Sequence, residues 1–214
     1  PIGAATSAKY YLEGSSAPIS VEAIKSGDEL IHAVITHRSI FKFDVSGTDK
    51  KTIRLSETTD SSSWLNWDFT TERTNWDVAL AQKIPTEMIL NGGSGSIDIN
   101  LSDIQLTSLR ADMGSGSSDF TLPAIKDPYE VEVDSGSGSV HVVIPKDASL
   151  TFSLSSGSGS VNVKIPAGSA LQVEVFDEGS GSLHLPSGLA RVSAAGSGNS
   201  LGVWQTAGFD NAKT

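Results

Sequence analysis

A spaced set of polar residues is the strongest candidate for a binding site in this sequence. Counted from the first glycine of each Gly-Ser-Gly-Ser run, the fifth following residue is, in order, Asp98, Asp119, His141, Asn162 and His184. Carboxylate, imidazole and amide groups bind cations or hydrogen-bond polar ligands. If the segments that carry them stack as strands in register, the side chains form a column with steps of about 4.8 Å. Neighbours in such a column can form an ion pair or share a cation. The alternation of polar and apolar residues favours a simpler interpretation, in which these residues are a solvated outer face.

Tryptophans supply the second candidate. Trp64 and Trp67 lie in the otherwise polar stretch 61–69, and Trp76 follows shortly after. Exposed aromatic side chains among polar neighbours can stack on sugars or on protein partners. The alternative is that they fold back as a hydrophobic lid over the first strands. The predicted partner-binding residues are therefore Trp64, Trp67, Asp119 and His141.

The residue types and their spacing do not match any known arrangement of catalytic residues. There are no cysteines and only four histidines, and no serine lies in a nucleophile-elbow sequence. The carboxylate pairs, Asp177 with Glu178 and Asp127 with Glu130, lie in predicted turns. The glycine runs lack the Lys-Ser or Lys-Thr and the following helix that hold phosphate, and they do not match a calcium-binding nonapeptide. No catalytic residue, cofactor or metal site is predicted.

Charge and hydropathy restrict the partners. The net charge of −10 and pI of about 4.7 argue against nucleic acid or anionic lipid. No run approaches the roughly 18 apolar residues of a membrane helix, and the first residues given do not have the basic-plus-apolar pattern of a signal peptide. Contact with a membrane is expected only through an anchor outside this chain.

The elements that must position the polar column are set by an internal repeat. Gly-Ser-Gly-Ser begins at intervals of 21 or 22 residues, at Gly93, Gly114, Gly136, Gly157 and Gly179, with a degenerate copy at Gly196. Apolar residues alternate with polar ones on both sides of each run, a period of two that is typical of β-strands. Each unit thus predicts a strand, a Gly-Ser bend, a second strand and a terminating proline such as Pro123, Pro145 or Pro166.

A unit of this size cannot bury its apolar face alone, so successive units are expected to stack. The prediction is an all-β fold, a single β-solenoid of stacked 21–22-residue coils with Gly-Ser-Gly-Ser bends. The glycines are expected to allow positive φ at the bend and close approach of neighbouring coils. A flexible Gly-Ser linker is the alternative, but a linker would not carry in-register apolar alternation on both sides.

Two regions differ in regularity. Residues 1–85 alternate like strands but lack the period, which predicts irregular N-terminal coils of the same solenoid. Residues 86–214 form the regular repeat region with a C-terminal cap. Irregular end coils are expected because a solenoid must protect its open edges from aggregation.

The apolar Gly-x-Gly-x repeat ending in Leu-Pro or Ile-Pro resembles the bacterial toast-rack and "putative adhesin" domain families. The matching segments are GGSGSIDINLSDIQLTSLRADMGSGSSDFTLP, VEVDSGSGSVHVVIP and LSSGSGSVNVKIP, with the flanking NWDVAL and WQTAGF. The resemblance implies a β-solenoid outside the cytoplasm, related to modules of envelope-stress regulators and surface proteins, without catalytic residues. Relatives usually continue past the final aromatic turn, so a closing coil is expected beyond Thr214.

The resulting hypothesis is a non-enzymatic, extracytoplasmic structural or interaction module of the bacterial cell envelope, adhesin-like or stress-sensing, whose partner is an envelope protein or a glycan. The rival hypothesis is a carbohydrate-active enzyme, a polysaccharide lyase or hydrolase, on the same scaffold. A concave pocket with convergent carboxylates or arginines would favour the enzyme, whereas a filled core and flat faces would favour the module.

Overall fold

The all-β prediction is confirmed. The structure is a computed structural model. It describes residues 1–14, 16–36, 40–58, 75–167, 169–177, 179–185, 187–194 and 201–209. Within these ranges the regular elements are 18 β-strands in two sheets, without a helix.

Sheet A has ten strands, in the spatial order β17-β18-β15-β13-β11-β9-β7-β1-β5-β4. Its central strands run parallel, whereas β4, β17 and β18 pair antiparallel at its two ends. The strands are β1 (Ser7–Glu13), β4 (Ile40–Ser46), β5 (Lys50–Thr58), β7 (Thr86–Gly92), β9 (Leu106–Met113), β11 (Tyr129–Ser135), β13 (Leu150–Ser156), β15 (Gln172–Asp177), β17 (Leu189–Ala194) and β18 (Gly202–Thr206).

Sheet B has eight strands, in the order β16-β14-β12-β10-β8-β2-β6-β3, and only the end strand β3 is antiparallel to its neighbour. The strands are β2 (Ile19–Ala23), β3 (Ile31–Thr36), β6 (Asn75–Leu80), β8 (Ile97–Asn100), β10 (Ser118–Thr121), β12 (Ser139–Val143), β14 (Ser160–Lys164) and β16 (Ser182–His184).

The sequence period sets the register of both sheets. In sheet A, Val131 lies opposite Leu109 on one side and Phe152 on the other, 22 and 21 residues away along the chain. In sheet B, Val140 lies between Ser118 and Val161 at the same two separations. Because the side-chain period of a strand is two, this register places every repeat's apolar positions on the same face.

The N-terminal strands follow a different order along the stack. Strand β1 lies between β5 and β7, and β2 lies between β6 and β8, so the chain doubles back before the regular repeats begin. The sequence gives no signal for this order, because alternation reports which face a residue occupies and not which strand lies next to it.

The core lies between the two sheets and is filled by the inward-facing members of each alternating stretch. Its largest fully buried side chains are Trp76, Tyr10, Phe120, Phe152, Leu12, Ile53, Leu80, Met88, Leu90, Ile99, Leu101 and Ile104. Burial of one such aliphatic side chain contributes roughly 1.5–3 kcal/mol before the entropy of ordering it is subtracted. The core is continuous along the stack.

At the bends the glycines act through close approach and not through positive φ. A Cβ added to Gly116, Gly138, Gly159 or Gly181 would overlap the carbonyl oxygen of the glycine one repeat earlier. The prediction of positive φ is wrong for these four glycines, and among the described glycines of the five Gly-Ser-Gly-Ser runs only Gly179 has it, at 53°. The bend backbone is extended enough to continue the hydrogen-bonded ladder, which removes the need for a left-handed turn.

The prolines follow the last ladder hydrogen bond of a strand. The Leu122 N–H donates to the Val143 carbonyl over 3.0 Å, and the Ile144 N–H donates to the Lys164 carbonyl over 2.9 Å. Pro123 and Pro145, which lack an N–H, come immediately after these two residues. The strand assignments end two residues before each proline, slightly earlier than the sequence predicts.

Two tyrosines carry hydroxyls into the core. The Tyr10 hydroxyl donates to the Leu30 carbonyl over 2.7 Å, and the Tyr129 hydroxyl donates to the Pro123 carbonyl over 2.8 Å. Burial is the main cause that raises the pKa of both phenols well above their usual value.

Because of these raised pKa values, we expect the chain to lose stability in alkali. The unfolded tyrosines release protons above about pH 10 while the folded ones keep them, so stability is full below pH 10 and falls above it. The slope is about 1.4 kcal/mol per pH unit for each tyrosine. Urea midpoints between pH 8 and 11.5 should show a shallower fall for Tyr10→Phe and Tyr129→Phe. Tyr11→Phe, at a half-buried tyrosine on the outer face of β1, is the matched control. Equal slopes for all four proteins would contradict this expectation.

Candidate functional site

The predicted polar column exists on the outer face of sheet B. Strand pairing places Asp98 opposite Asp119, Asp119 opposite His141, His141 opposite Asn162, and Asn162 opposite His184. All five side chains are exposed. The column also extends beyond the repeats, because Ser20 of β2 pairs with Asp98 and then with Asp77 of β6.

Within the column, Asp119 and His141 are adjacent but only loosely paired. The Asp119 Oδ1 and His141 Nδ1 atoms are 3.9 Å apart, and the two side chains are 67% and 62% exposed. So long and solvated a pair adds little to stability. Among the described residues, no group of three or more histidine and acidic side chains is placed to hold a metal ion. The arrangement is suited to hydrogen-bonding a polar ligand laid along the face.

The two tryptophans of the second candidate, Trp64 and Trp67, lie outside the described residues. Trp76, which the sequence groups with them, belongs to the core. It is fully buried on β6, and its ring makes an edge-to-face contact with Phe41 at a centroid distance of 5.1 Å. Trp76 is therefore not available to stack on a ligand.

Sequence reasoning missed two exposed rows of serines beside the column. The second and fourth residues of each Gly-Ser-Gly-Ser run are exposed at the bend and recur in every repeat. The rows are Ser94, Ser115, Ser137, Ser158 and Ser180, and Ser96, Ser117, Ser139, Ser160 and Ser182. Their spacing follows from the strand repeat of about 4.8 Å. The signal for these rows is the repeat itself, because each Gly-Ser-Gly-Ser run carries two serines at fixed positions.

The outer face of sheet A carries a second group that sequence reasoning missed. Arg110 donates to the Glu132 carboxylate over 2.9 Å, and both line a groove of about 360 Å³ with Glu130. The prediction that Glu130 lies in a turn is wrong, because it is the second residue of β11. Of the other predicted pair, Glu178 lies outside the described residues.

Further along the same face, the ammonium group of Lys9 lies 2.6 Å from the Glu87 carboxylate. This hydrogen bond raises the pKa of Lys9 above its usual value. The Arg54 guanidinium lies 3.6 Å from the centroid of the Tyr11 ring, within the range of a cation–π interaction. These charged side chains pair with one another across strands, so they form a polar surface and not a cleft.

Comparison with known proteins shows the family of this chain. The model of the N-terminal domain of toast_rack, DUF2154, matches residues 2–143. The chain belongs to the toast-rack family. The match includes the irregular N-terminal strands and the first repeats, up to the end of β12.

A solved structure has a similar fold to this toast-rack chain. It is described as a "putative cell adhesion protein from Clostridium sporogenes ATCC 15579", with 22% sequence identity and a TM-score of 0.62. The similarity covers 84% of the toast-rack chain and 92% of the other. No curated protein matches the chain significantly. Among its described residues, none forms a helix long and apolar enough to cross a membrane.

Proposed function

We propose that this toast-rack chain is a single β-solenoid that serves as a non-enzymatic structural or interaction module outside the cytoplasm, in the bacterial cell envelope. The observation that carries the proposal is the continuity of its hydrogen-bonded ladder through the bends. Gly114 donates to Gly92, Gly136 to Met113 and Gly157 to Ser135, at 3.0, 2.8 and 2.6 Å. A bend that is bonded to its neighbours holds the two sheets as one stiff body.

Such a body presents long, regular faces to a partner. Solenoids use extended surfaces of this kind for contacts that are weak singly and strong together. The polar column and the two serine rows give one edge of the chain a repeated pattern of hydrogen-bonding groups. Repetition at about 4.8 Å suits an extended polymer, such as a glycan, or an extended segment of an envelope protein. Family membership and the adhesion-related fold neighbour favour the same class of function.

The rival enzymatic hypothesis is best tested at the Arg110 groove, since carboxylates and an arginine meet there. Glu130 and Glu132 lie two residues apart on one strand, so their Cα atoms lie about 7 Å apart, a spacing compatible with the carboxyl separation of inverting glycosidases. However, Glu132 is 50% exposed and ion-paired, on an open sheet face. Electrostatic stabilisation of a transition state requires a site from which water is excluded. The groove therefore favours a surface contact over catalysis.

The binding test compares the wild type with two double variants, Asp119→Ala with His141→Ala, and Trp64→Ala with Trp67→Ala. We expect each pair to weaken binding in a glycan array and in pull-downs from an envelope fraction by several-fold, since multipoint contacts are lost. Lys126→Ala with Asp127→Ala, in an exposed loop on the opposite side of the bends, is the control and should bind normally. A panel of glycan hydrolase and lyase assays runs in parallel. Turnover that is lost on Glu130→Gln would overturn the proposal in favour of the enzyme.

Location is tested separately, on the full-length protein in the native bacterium. An epitope tag in the Lys126 loop should be cleaved by protease added to cells with a permeabilised outer layer and an intact cytoplasmic membrane. Protection of the tag under these conditions would place the chain inside the cell and contradict the extracytoplasmic part of the proposal.

A further inference from the structure

One end of the sandwich exposes an apolar face that is buried in the middle of the stack. Strand β4 pairs with β5 so that Phe43 lies opposite Leu55 and Val45 opposite Ile53. Leu55 and Ile53 are buried in the core, whereas Phe43 is 55% and Val45 is 49% exposed. Phe43 and Val45 thus face the interior side of sheet A, at a position where the described part of sheet B does not cover them.

Strand β3 forms the facing wall at the same end. Its residues Ile31, Ala33 and Ile35 pair with the core residues Leu80, Val78 and Trp76, and therefore also face inward. Together β3 and β4 border an open groove of about 480 Å³, whose lining includes Ile31, Ala33, Ile35, Phe41 and Phe43.

Both strands are also the outermost of their sheets. Within the described ranges, β4 pairs only with β5 and β3 pairs only with β6. An edge strand with an exposed apolar face is a template for pairing with another chain. Among the described residues, this end therefore combines two edge strands with two exposed apolar side chains, Phe43 and Val45.

We propose that this end is the interface of a two-fold symmetric dimer, in which a second copy of the chain covers the groove. A two-fold axis perpendicular to both sheets brings β4 antiparallel to β4 of the second copy and continues each sheet into its counterpart. With Phe43 at the axis, Lys42 of one copy lies opposite Asp44 of the other, and the same pair recurs on the other side. Phe41 then lies opposite Val45 on the inner face. The sequence Phe41-Lys42-Phe43-Asp44-Val45 is thus complementary to itself in both charge and hydropathy.

The same symmetry limits the assembly to two copies. A contact that uses the same patch on both partners closes on itself, whereas a head-to-tail contact would propagate into a filament. The pairing also accounts for a lysine and an aspartate on an edge strand, since charges that block random pairing accept only the register that matches them. The inference is independent of what the outer faces bind.

Charge reversal tests the predicted register. Wild type should be dimeric in sedimentation equilibrium at micromolar concentrations. Lys42→Glu and Asp44→Lys alone should each weaken the dimer at least tenfold, because each homodimer then contains two repulsive pairs. An equimolar mixture of the two variants should recover the dimer, since every cross-copy pair is then attractive. Lys126→Glu and Asp127→Lys, which change the net charge equally at an exposed loop, are the matched controls and should remain dimeric.

Cysteine cross-linking locates the axis. The wild type has no cysteine, so Phe43→Cys introduces one thiol per copy, placed opposite its symmetry mate. Oxidation should produce a disulfide-linked dimer in high yield, whereas Phe176→Cys, at a phenylalanine that is 59% exposed elsewhere, should not. A wild type that is monomeric at all concentrations would mean that the chain itself or another partner covers the groove. That result, or a mixture of Lys42→Glu and Asp44→Lys that stays monomeric, would overturn the proposal.

Discussion

Gly138→Ala is expected to destabilise the chain by about 3 kcal/mol, an unusually large effect for one methyl group near a surface bend. Gly138 is buried, and an added Cβ would overlap the Gly116 carbonyl oxygen of the preceding repeat. Because that oxygen belongs to the backbone, the overlap is relieved only if the two repeats move apart.

Two controls separate this clash from general effects of the substitution. Gly208→Ala makes the same chemical change where the nearest atom to an added Cβ is 4.0 Å away. It should be neutral or slightly stabilising, because alanine restricts the unfolded chain. Ser137→Ala, at the exposed neighbour of Gly138, should also be near neutral. The measurement is urea denaturation followed by far-ultraviolet circular dichroism. A cost at Gly138 no larger than that at Gly208 would show that the bends are loose loops.

The regular part of the fold could be predicted because the alternation of apolar residues and the spacing of the glycines recur in every repeat. Apolar alternation identifies the strands, and the constant spacing of Gly138, Gly159 and their equivalents determines which strands are neighbours. The polar column from Asp98 to His184 follows from the same register, so its existence was predictable from spacing alone. The mechanism of the glycines was predicted only in part. A glycine at a bend commonly has positive φ, but here the ladder continues through the bend and close approach is the constraint.

The ends were less predictable, because their neighbours are set by contacts that no period encodes. The position of β1 between β5 and β7 depends on the global shape of the stack. The inward-facing but exposed Phe43 looks like an ordinary strand residue in the sequence. Similarly, Trp76 was grouped with Trp64 and Trp67 by proximity along the chain, whereas strand β6 carries it into the core. Local polarity cannot distinguish an exposed aromatic residue from one on the next buried strand.

Trp76→Ala is expected to cost about 4 kcal/mol, the largest loss among single truncations of the core. The indole is fully buried and pairs on β6 with Ile19 of β2 on one side and Ile35 of β3 on the other. Its removal leaves a cavity between the N-terminal strands and removes the edge-to-face contact with Phe41. The stack cannot collapse to fill the space without breaking the register of the ladder.

Trp76→Phe distinguishes lost packing from lost polarity. The indole Nε1 has no hydrogen-bond partner among the described residues, so phenylalanine removes a desolvated N–H along with part of the ring. These effects oppose each other, and we expect a loss of only about 1–2 kcal/mol. Phe176→Ala, at an exposed aromatic residue, should change the free energy of unfolding by less than about 0.5 kcal/mol. Circular dichroism is again the probe, since tryptophan fluorescence would itself change with the substitution. If Trp76→Ala cost no more than Phe176→Ala, the indole would have to lie outside the core, where it could contact a ligand together with Trp64 and Trp67.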